Sequence, residues 1–254
     1  MSTDYWGSIY YECVDVTGST NTDLLERVRH EGLSSVIVRR ALTQTFGRGT
    51  RGRVWHGSND CLMFSVGIPI GKDLRIISAV TLVIGAHMVL ALRGHGIEAQ
   101  IKWPNDILLN GKKLAGILVE VAKGPDQNYV LVVGVGLNLK NPSIQSEYGS
   151  SALSDVLQDS ELDAERWLKI LAPNILNAVQ EVISDGLERT QLLWDTIAAY
   201  TNQTVSIVEE NRAPYDAVMV GIDDQGRLLV RIGPKVKSLL SGVVSIRLKN
   251  EFID

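Results

Sequence analysis

From Gln44 to Trp55 the chain reads Gln-Thr-Phe-Gly-Arg-Gly-Thr-Arg-Gly-Arg-Val-Trp. Gly47, Gly49 and Gly52 permit tight backbone bends, while Arg48, Arg51 and Arg53 bring permanent positive charge. Gln44 and Trp55 bracket the run with an amide and an indole. No Asp or Glu occurs between Glu31 and Asp60, so nothing nearby is expected to neutralise the arginines. Guanidinium forks and backbone amides gathered in one loop suit a phosphate or a carboxylate. The stretch is expected to be an anion-binding flap.

Other segments carry weaker signals. Ser19-Thr20-Asn21 precedes a helical pattern through Leu24, Leu25 and Val28. A helix N-terminus offers unpaired amides to a polar ligand, yet a plain N-cap is the better reading of the residues alone. Lys113 follows an Asn110-Gly111 turn, where a lysine is usually solvated, and Asn105-Asp106 is a common turn pair. Gly116 interrupts a strand, as happens where a ligand or backbone approaches closely. Gly134 and Gly136 fall on one face of the strand Tyr129 to Leu139, and mark either an unfilled groove or a bulge.

The elements that must hold these residues alternate between strand and helix. Short strands are expected at Ile9 to Cys13, Val36 to Val38, Leu62 to Val66 and Ile97 to Lys102. Pro104 implies a bent crossing at the sheet's end, and Ile107 to Val121 reads as a hairpin around Asn110-Gly111, suited to a type I′ turn. Helices are expected at about Leu74 to Arg93, Ala164 to Ser184 and Thr190 to Ala199. After Thr201 only short strands follow: Val205 to Val208, Ala217 to Ile222, Leu228 to Ile232 and Val243 to Leu248.

Composition excludes several classes. The net charge is −4, and the last stretch from Gln203 balances seven Lys/Arg with seven Asp/Glu, so no basic face argues for nucleic acid. Cys13 and Cys61 form no CxxC pair, which suits a reducing cytoplasm. His30, His56, His87 and His95 lack zinc-site spacing. Ile76 to Leu92 carries no formal charge, but its Ser, Thr, Gly and His mark a buried helix rather than a membrane span, and no signal peptide precedes it. Gly47, Gly49 and Gly52 satisfy G-x-G-x-x-G, but a dinucleotide fingerprint must open into a helix and this one does not. P-loop and serine-hydrolase motifs are absent.

Taken together the segments resemble the biotin protein ligase family. Gly47 to Trp55 looks like that family's biotinyl-adenylate loop, and Lys102 to Asp106 with Lys113 to Leu118 looks like its second signature. Ser19 to Asn21 and Gly134 to Asn138 match two further segments in the right order, so the likeness covers nearly the whole chain. It implies an α/β (α+β) fold: a mixed β-sheet with flanking helices over residues 1–200, akin to class II aminoacyl-tRNA synthetases, and a small SH3-like β-barrel over 201–254. Repressor-type members carry an N-terminal helix-turn-helix domain. Here the catalytic strand begins by about Ile9, so the monofunctional type is expected, without nucleic-acid or membrane partners and as a monomer or homodimer.

The resemblance further implies a two-step reaction using biotin, ATP and Mg²⁺. Biotin's carboxylate attacks the α-phosphate to give biotinyl-5′-AMP, and a lysine of a biotin carboxyl carrier domain, from acetyl-CoA or a related carboxylase, then displaces AMP. Lys113, Asp106 and Arg48 are implied as catalytic, Asp106 either holding Mg²⁺ or positioning and deprotonating the acceptor lysine. Biotin would be met by Ser19, Thr20, Asn21, Gln44, Gly47, Arg48, Gly49, Thr50, Lys113, Gly116, Leu118, Gly134 and Gly136. The groove reading of the two glycines thereby gains over the bulge. ATP would be met by Arg48, Arg51, Arg53, Trp55, Lys102, Asn105 and Asn138. Two departures stand out: Thr50 replaces an arginine of the repressor-type relative, and the segment after Trp55 lacks the family's usual Pro and Gly and is one residue short. A lipoate or octanoate ligase of the same superfamily, and a non-catalytic biotin-binding protein, are the rival readings.

Overall fold

The computed structural model describes residues 2–6, 9–57, 60–72, 74, 77–142, 149–209, 212–241 and 244–249. Strands β1 (Ser2–Trp6) and β2 (Ile9–Thr17) form a hairpin, helix α1 (Thr20–Glu31) follows, and β3 (Ile37–Gln44) lies parallel to β2. A parallel pair requires a crossover, and α1 supplies it. Strand β4 (Cys61–Gly71) precedes helix α2 (Ile77–Arg93). Then come β5 (Ala99–Lys102), β6 (Asp106–Leu109), β7 (Lys112–Lys123) and β8 (Tyr129–Asn138), and helices α3 (Ala164–Asp185) and α4 (Glu188–Ile197). These strands make an eight-stranded mixed sheet in the order β1-β2-β3-β4-β8-β7-β6-β5.

Strand alternation divides this sheet into two unlike faces. Leu62, Phe64 and Val66 of β4 and Leu131, Val133 and Val135 of β8 point to the main core, against α2 and α3. The intervening residues point the other way, where α1 covers only part of the face with Leu24, Leu25 and Val28 over Ala122, Val130 and Val132. Gly85 lets α2 lie close on β5, since a Cβ there would stand 2.3 Å from Ile101 Cδ1. Helix α2, charged only at its final Arg93, is thus a core helix, and among the described residues no helix is long and apolar enough to cross a membrane.

The remaining strands, β9 (Thr204–Glu209), β10 (Tyr215–Ile222), β11 (Leu228–Ile232), β12 (Lys235–Leu239) and β13 (Val244–Leu248), form a five-stranded antiparallel sheet in the order β12-β11-β10-β9-β13. Its buried Val205, Met219, Val230 and Ile246 join the main core. Trp103 Nε1 donates to the Gly226 carbonyl at 3.0 Å and pins the second sheet to the end of the first.

Sequence reading misses two strands. The first four residues of β12 are exposed and β1 is an edge strand, so neither needs an apolar alternation. The crossing at Pro104 is a hairpin: Lys102 pairs with Asp106, and Trp103 to Asn105 form its turn. Strand β8 lies inside the sheet between β4 and β7, which explains its nearly uncharged sequence. Asn110 and Gly111, at φ 52° and 75°, make the expected left-handed turn.

Candidate functional site

Beside α1 the sheet face is built of three cross-strand rungs, the last of which runs under the helix. Met63, Gly136 and Gly116 stand side by side on β4, β8 and β7. The next rung is Ser65, Gly134 and Leu118, and the third is Gly67, Val132 and Glu120. Gly134 and Gly136 keep regular register with both neighbours, so they are a groove and not a bulge. A Cβ on Gly134 would meet Asn21 Oδ1 at 2.3 Å, and one on Gly136 would meet the Trp55 ring at 2.2 Å. The cleft above this floor has a volume of about 220 Å³.

Its first wall is the start of α1. Ser19 occupies the N-cap position, as the residues suggested, but its side chain makes no cap bond. Thr20 N–H donates instead to Gln44 Oε1 at 2.7 Å, across from the end of β3. Thr20 Oγ1 lies 2.7 Å from Ser65 Oγ, and Ser65 Oγ donates to Asn21 Oδ1 at 2.6 Å. Asn21 Nδ2 donates to Glu120 Oε2 at 2.9 Å. Ser19, Thr20 and Asn21 are all buried, so their polar atoms depend on these partners. Ser65 and Glu120 escape sequence reasoning because each is one polar residue in an apolar strand; the only available signal is that both face the glycine side.

The flap forms the second wall. Arg48 pairs with Val54, Gly49 N–H donates to the Arg53 carbonyl at 2.8 Å, and Trp55 N–H donates to the Gly47 carbonyl at 2.9 Å. These bonds make the flap a small hairpin whose tip, Arg51 and Gly52, has φ values of 59° and 71°. A Cβ on Gly47 would lie 2.3 Å from the Trp55 carbonyl oxygen, so that glycine serves the base of the flap. The arginines are less free than their neighbours in sequence imply. Arg48 makes a bidentate pair with Glu120 at 2.7 and 3.0 Å, Arg53 donates to Thr50, and Arg51 donates to the Val244 carbonyl of the second sheet. Glu120 arrives from β7, which is why the absence of acids between Glu31 and Asp60 misleads.

Lys113 stands where floor and flap meet. A bulge at Leu114 breaks the β6–β7 register, so that Lys113 pairs with Leu108 and Ala115 with Ile107. Lys113 Nζ lies 2.6 Å from Asp106 Oδ1 and 5.5 Å from the centre of the Trp55 ring. Its backbone is clamped on both sides, with Lys113 N–H donating to Gly149 and Lys113 O accepting from Ser151 N–H and from Asn138 Nδ2. Asp155 supports this clamp by accepting from Ser151 Oγ and Ala152 N–H. Burial pushes the Asp155 carboxyl up, but these bonds and one from Asn141 outweigh it and hold the group below the usual range.

Apart from Gly47, which lines neither, the sequence-selected residues separate between two adjoining clefts. Ser19, Thr20, Asn21, Gln44, Arg48, Gly49, Thr50, Arg53, Trp55, Asn105, Lys113, Gly116, Leu118, Gly134, Gly136 and Asn138 line the first. Arg51, Lys102 and Asp106 line the second, a space of about 350 Å³ between the flap, the Trp103 turn and β13. Thr50, Arg53 and Asn105 border both. Asn138 directs its Nδ2 to the Lys113 and Ser151 carbonyls, and Asn105 directs its own to Ile117. In the shortened segment after Trp55, Ser58 and Asn59 lie outside the described residues.

Comparison with known proteins adds four findings. Residues 13–138 match the Biotin/lipoate A/B protein ligase family. The Bifunctional ligase/repressor BirA of Escherichia coli (strain K12) is 30% identical over 238 residues, which are 91% of this chain and 72% of that one. The Biotin--[acetyl-CoA-carboxylase] ligase of Mycobacterium tuberculosis is 30% identical over 249 residues, 93% of this chain and 89% of that one. The structure of biotin protein ligase from Aquifex aeolicus in complex with biotin and ATP superposes with a TM-score of 0.76 at 25% identity, covering 94% of this chain and 99% of that one.

Proposed function

The chain belongs to the biotin/lipoate A/B protein ligase family, and from that premise we infer how it works as an ATP-dependent biotin protein ligase. The observation that carries the reading is the Lys113 ammonium held over a glycine-floored cleft, between a polar wall and an arginine-bearing flap. Biotin's bicycle would lie along the floor at Gly116, Gly134 and Gly136, with the Trp55 ring, packed on Gly116 and Gly136 in this structure, moving aside with the flap. Its ureido group is met by Ser19, Thr20 and Gln44, and its carboxylate points toward Lys113. ATP enters from the second cleft, where Arg51, Arg53 and Lys102 supply cationic character. The two clefts meet at Thr50, Arg53 and Asn105, and this junction is where carboxylate and α-phosphate come together.

In the first step the carboxylate oxygen attacks the α-phosphate and pyrophosphate leaves. Lys113 opposes the negative charge that builds on the bridging and α-phosphate oxygens, an electrostatic role whose value rises as water is excluded. In the second step the amine of an acceptor lysine attacks the mixed anhydride and AMP leaves. Asp106, turned toward the second cleft, is placed to accept the acceptor's proton. The chain's own residues do not make a metal cage: Asp106 is engaged by Lys113, and among the described residues no group of three metal-binding side chains occurs. Magnesium supplies charge neutralisation to the phosphates when bound, as it does wherever phosphates and water provide most of its ligands. We further propose residues 1–200 as the catalytic unit, 201–254 as a small barrel, a cytoplasmic location, and a carboxylase's biotin carboxyl carrier domain as the acceptor.

Transfer of labelled biotin to a purified carrier domain with MgATP tests the reading, with lipoate run in parallel. Labelling from biotin is expected. No labelling where a known ligase works, or preferential transfer of lipoate, overturns it.

A further inference from the structure

Glu120 belongs to no motif and sits between Val119 and Val121 in an apolar strand, one rung beyond the glycine floor. Three donors converge on its carboxylate. Arg48 Nη1 and Nη2 reach its two oxygens at 3.0 and 2.7 Å, and Asn21 Nδ2 reaches Oε2 at 2.9 Å. One acid on β7 therefore joins the start of α1 to the flap.

An ionised carboxylate only accepts, and that restriction propagates. With Asn21 Nδ2 shared between Glu120 at 2.9 Å and the Leu118 carbonyl at 3.3 Å, Asn21 Oδ1 faces Ser65 and must accept its hydroxyl proton. Ser65 has then spent its one proton and accepts from Thr20 Oγ1. Thr20 N–H holds Gln44 Oε1, so the amide end of Gln44 is left as a donor. The Asn21–Ser65–Thr20 directions thus follow from the two acceptor-only partners of the Asn21 amide, the Glu120 carboxylate and the Leu118 carbonyl, while a backbone N–H sets Gln44. The charge on Glu120 also sets the plane of the Arg48 guanidinium through a bidentate fork.

We propose that Glu120 is a positioning residue that fixes the Arg48 guanidinium and, together with the Leu118 carbonyl, the donor–acceptor direction of the Asn21–Ser65–Thr20 wall, and so sets discrimination for a cyclic urea. Its kinetic consequence rests on the ligase reading; its effect on the flap does not. Glu120→Gln keeps the shape but replaces an acceptor-only group with one that also donates, so the Arg48 fork loses its anion and the Asn21 amide keeps only the Leu118 carbonyl to hold its direction.

The test uses the full chain. Amide exchange across residues 47–53 is measured in the absence of ligand, and KM for biotin and kcat are measured for biotinyl-5′-AMP formation. Glu120→Gln is expected to speed flap exchange and to raise KM for biotin ~10-fold, about one charge-assisted contact, with a smaller change in kcat. Combined with Arg48→Ala it is expected to cost less than the product of the separate effects, because the two residues act together. Wild-type exchange, or wild-type KM, overturns the proposal. So does a loss that multiplies fully with Arg48→Ala and follows a lowered thermal midpoint, since that describes general structural damage. If the wild-type chain forms no biotinyl-5′-AMP, the ligase reading fails while the exchange measurement still decides whether Glu120 positions Arg48.

Discussion

Lys113 and Asp106 face each other across a bulged hairpin with their charged atoms 2.6 Å apart. The bulge at Leu114 shifts the β6–β7 register so that Lys113 pairs with Leu108, and its side chain reaches along β6 to Asp106. Lys113→Ala is expected to slow biotinyl-5′-AMP formation about 10²–10³-fold, the usual cost of removing one pre-positioned transition-state donor. Pyrophosphate release measured without carrier protein checks this, and a wild-type rate refutes the role. Asp106→Asn is expected to slow transfer to the carrier more than adenylation, which single-turnover measurement of the two half-reactions separates.

Gly136 is the tightest point of the floor. Its added Cβ would lie 2.2 Å from Trp55 Cε2, whereas one on Gly116 would stand 3.1 Å from Trp55 Cζ3. Gly136→Ala should therefore displace the indole at about 1–3 kcal/mol of overpacking, with Gly116→Ala milder. Tryptophan emission and KM for both substrates report the change. Unaltered values in the Gly136 variant would show that Trp55 does not rest on this face.

Buried charge holds the strand–helix–strand unit together. Glu12 is 1% exposed and accepts from Arg27 at 3.0 Å and Arg39 at 2.7 Å, while Arg39 also reaches Asp23 at 2.6 Å. Glu12→Gln leaves the arginines without their shared anion and is expected to cost about 3 kcal/mol, the low end for breaking a buried pair. Chemical denaturation measures it, and a midpoint equal to wild type rules it out.

Acid should weaken the fold through Asp155 and Asp223. Burial raises both, but donors from Ala152, Asn141 and Ser151 in one case, and from Arg227 and Ser238 in the other, hold both net below the ordinary range. A carboxylate depressed in the folded state binds its proton more readily when unfolded. Its contribution is fully present above the ordinary value of about 3.9 and lost as pH falls through the lower folded value. Thermal midpoints should drop below about pH 4, and Asp155→Asn should flatten that drop; an unchanged slope excludes Asp155 as a contributor.

The flap should tighten when biotin and ATP bind. Ordering about ten residues costs on the order of 10–20 kcal/mol of backbone entropy, against roughly 1.5–3 kcal/mol for each charge-assisted arginine contact. The internal hairpin bonds narrow this gap, and ligand contacts close it. Amide exchange across 47–53 is expected to slow with both substrates present; equal protection with and without them contradicts this. Thr50→Arg adds a cation at the junction of the clefts and is expected to slow release of biotinyl-5′-AMP.

Much of this arrangement was legible from local pattern. Gly134 and Gly136 marked a shared strand face because alternate residues point the same way, leaving groove and bulge open until the unbroken register decided for the groove, and Asn110-Gly111 announced its turn because both positions require positive φ. The polar wall was not legible. Ser65 and Glu120 carry no spacing signal, and they matter only because register places β4 and β7 on either side of β8.

By itself the sequence determined the chemistry available to this protein. It specified a cationic flap, a lysine after a turn, glycines on one strand face and helices of the right period, since all of these depend on residues close together in the chain. Only the tertiary structure decided the pairings. Arg48 meets Glu120 seventy-two positions away, Arg51 reaches the second sheet, and Thr20, Ser65 and Asn21 become one wall. Such contacts follow from strand order and register, which are settled by packing the whole core at once and leave no trace in a local window.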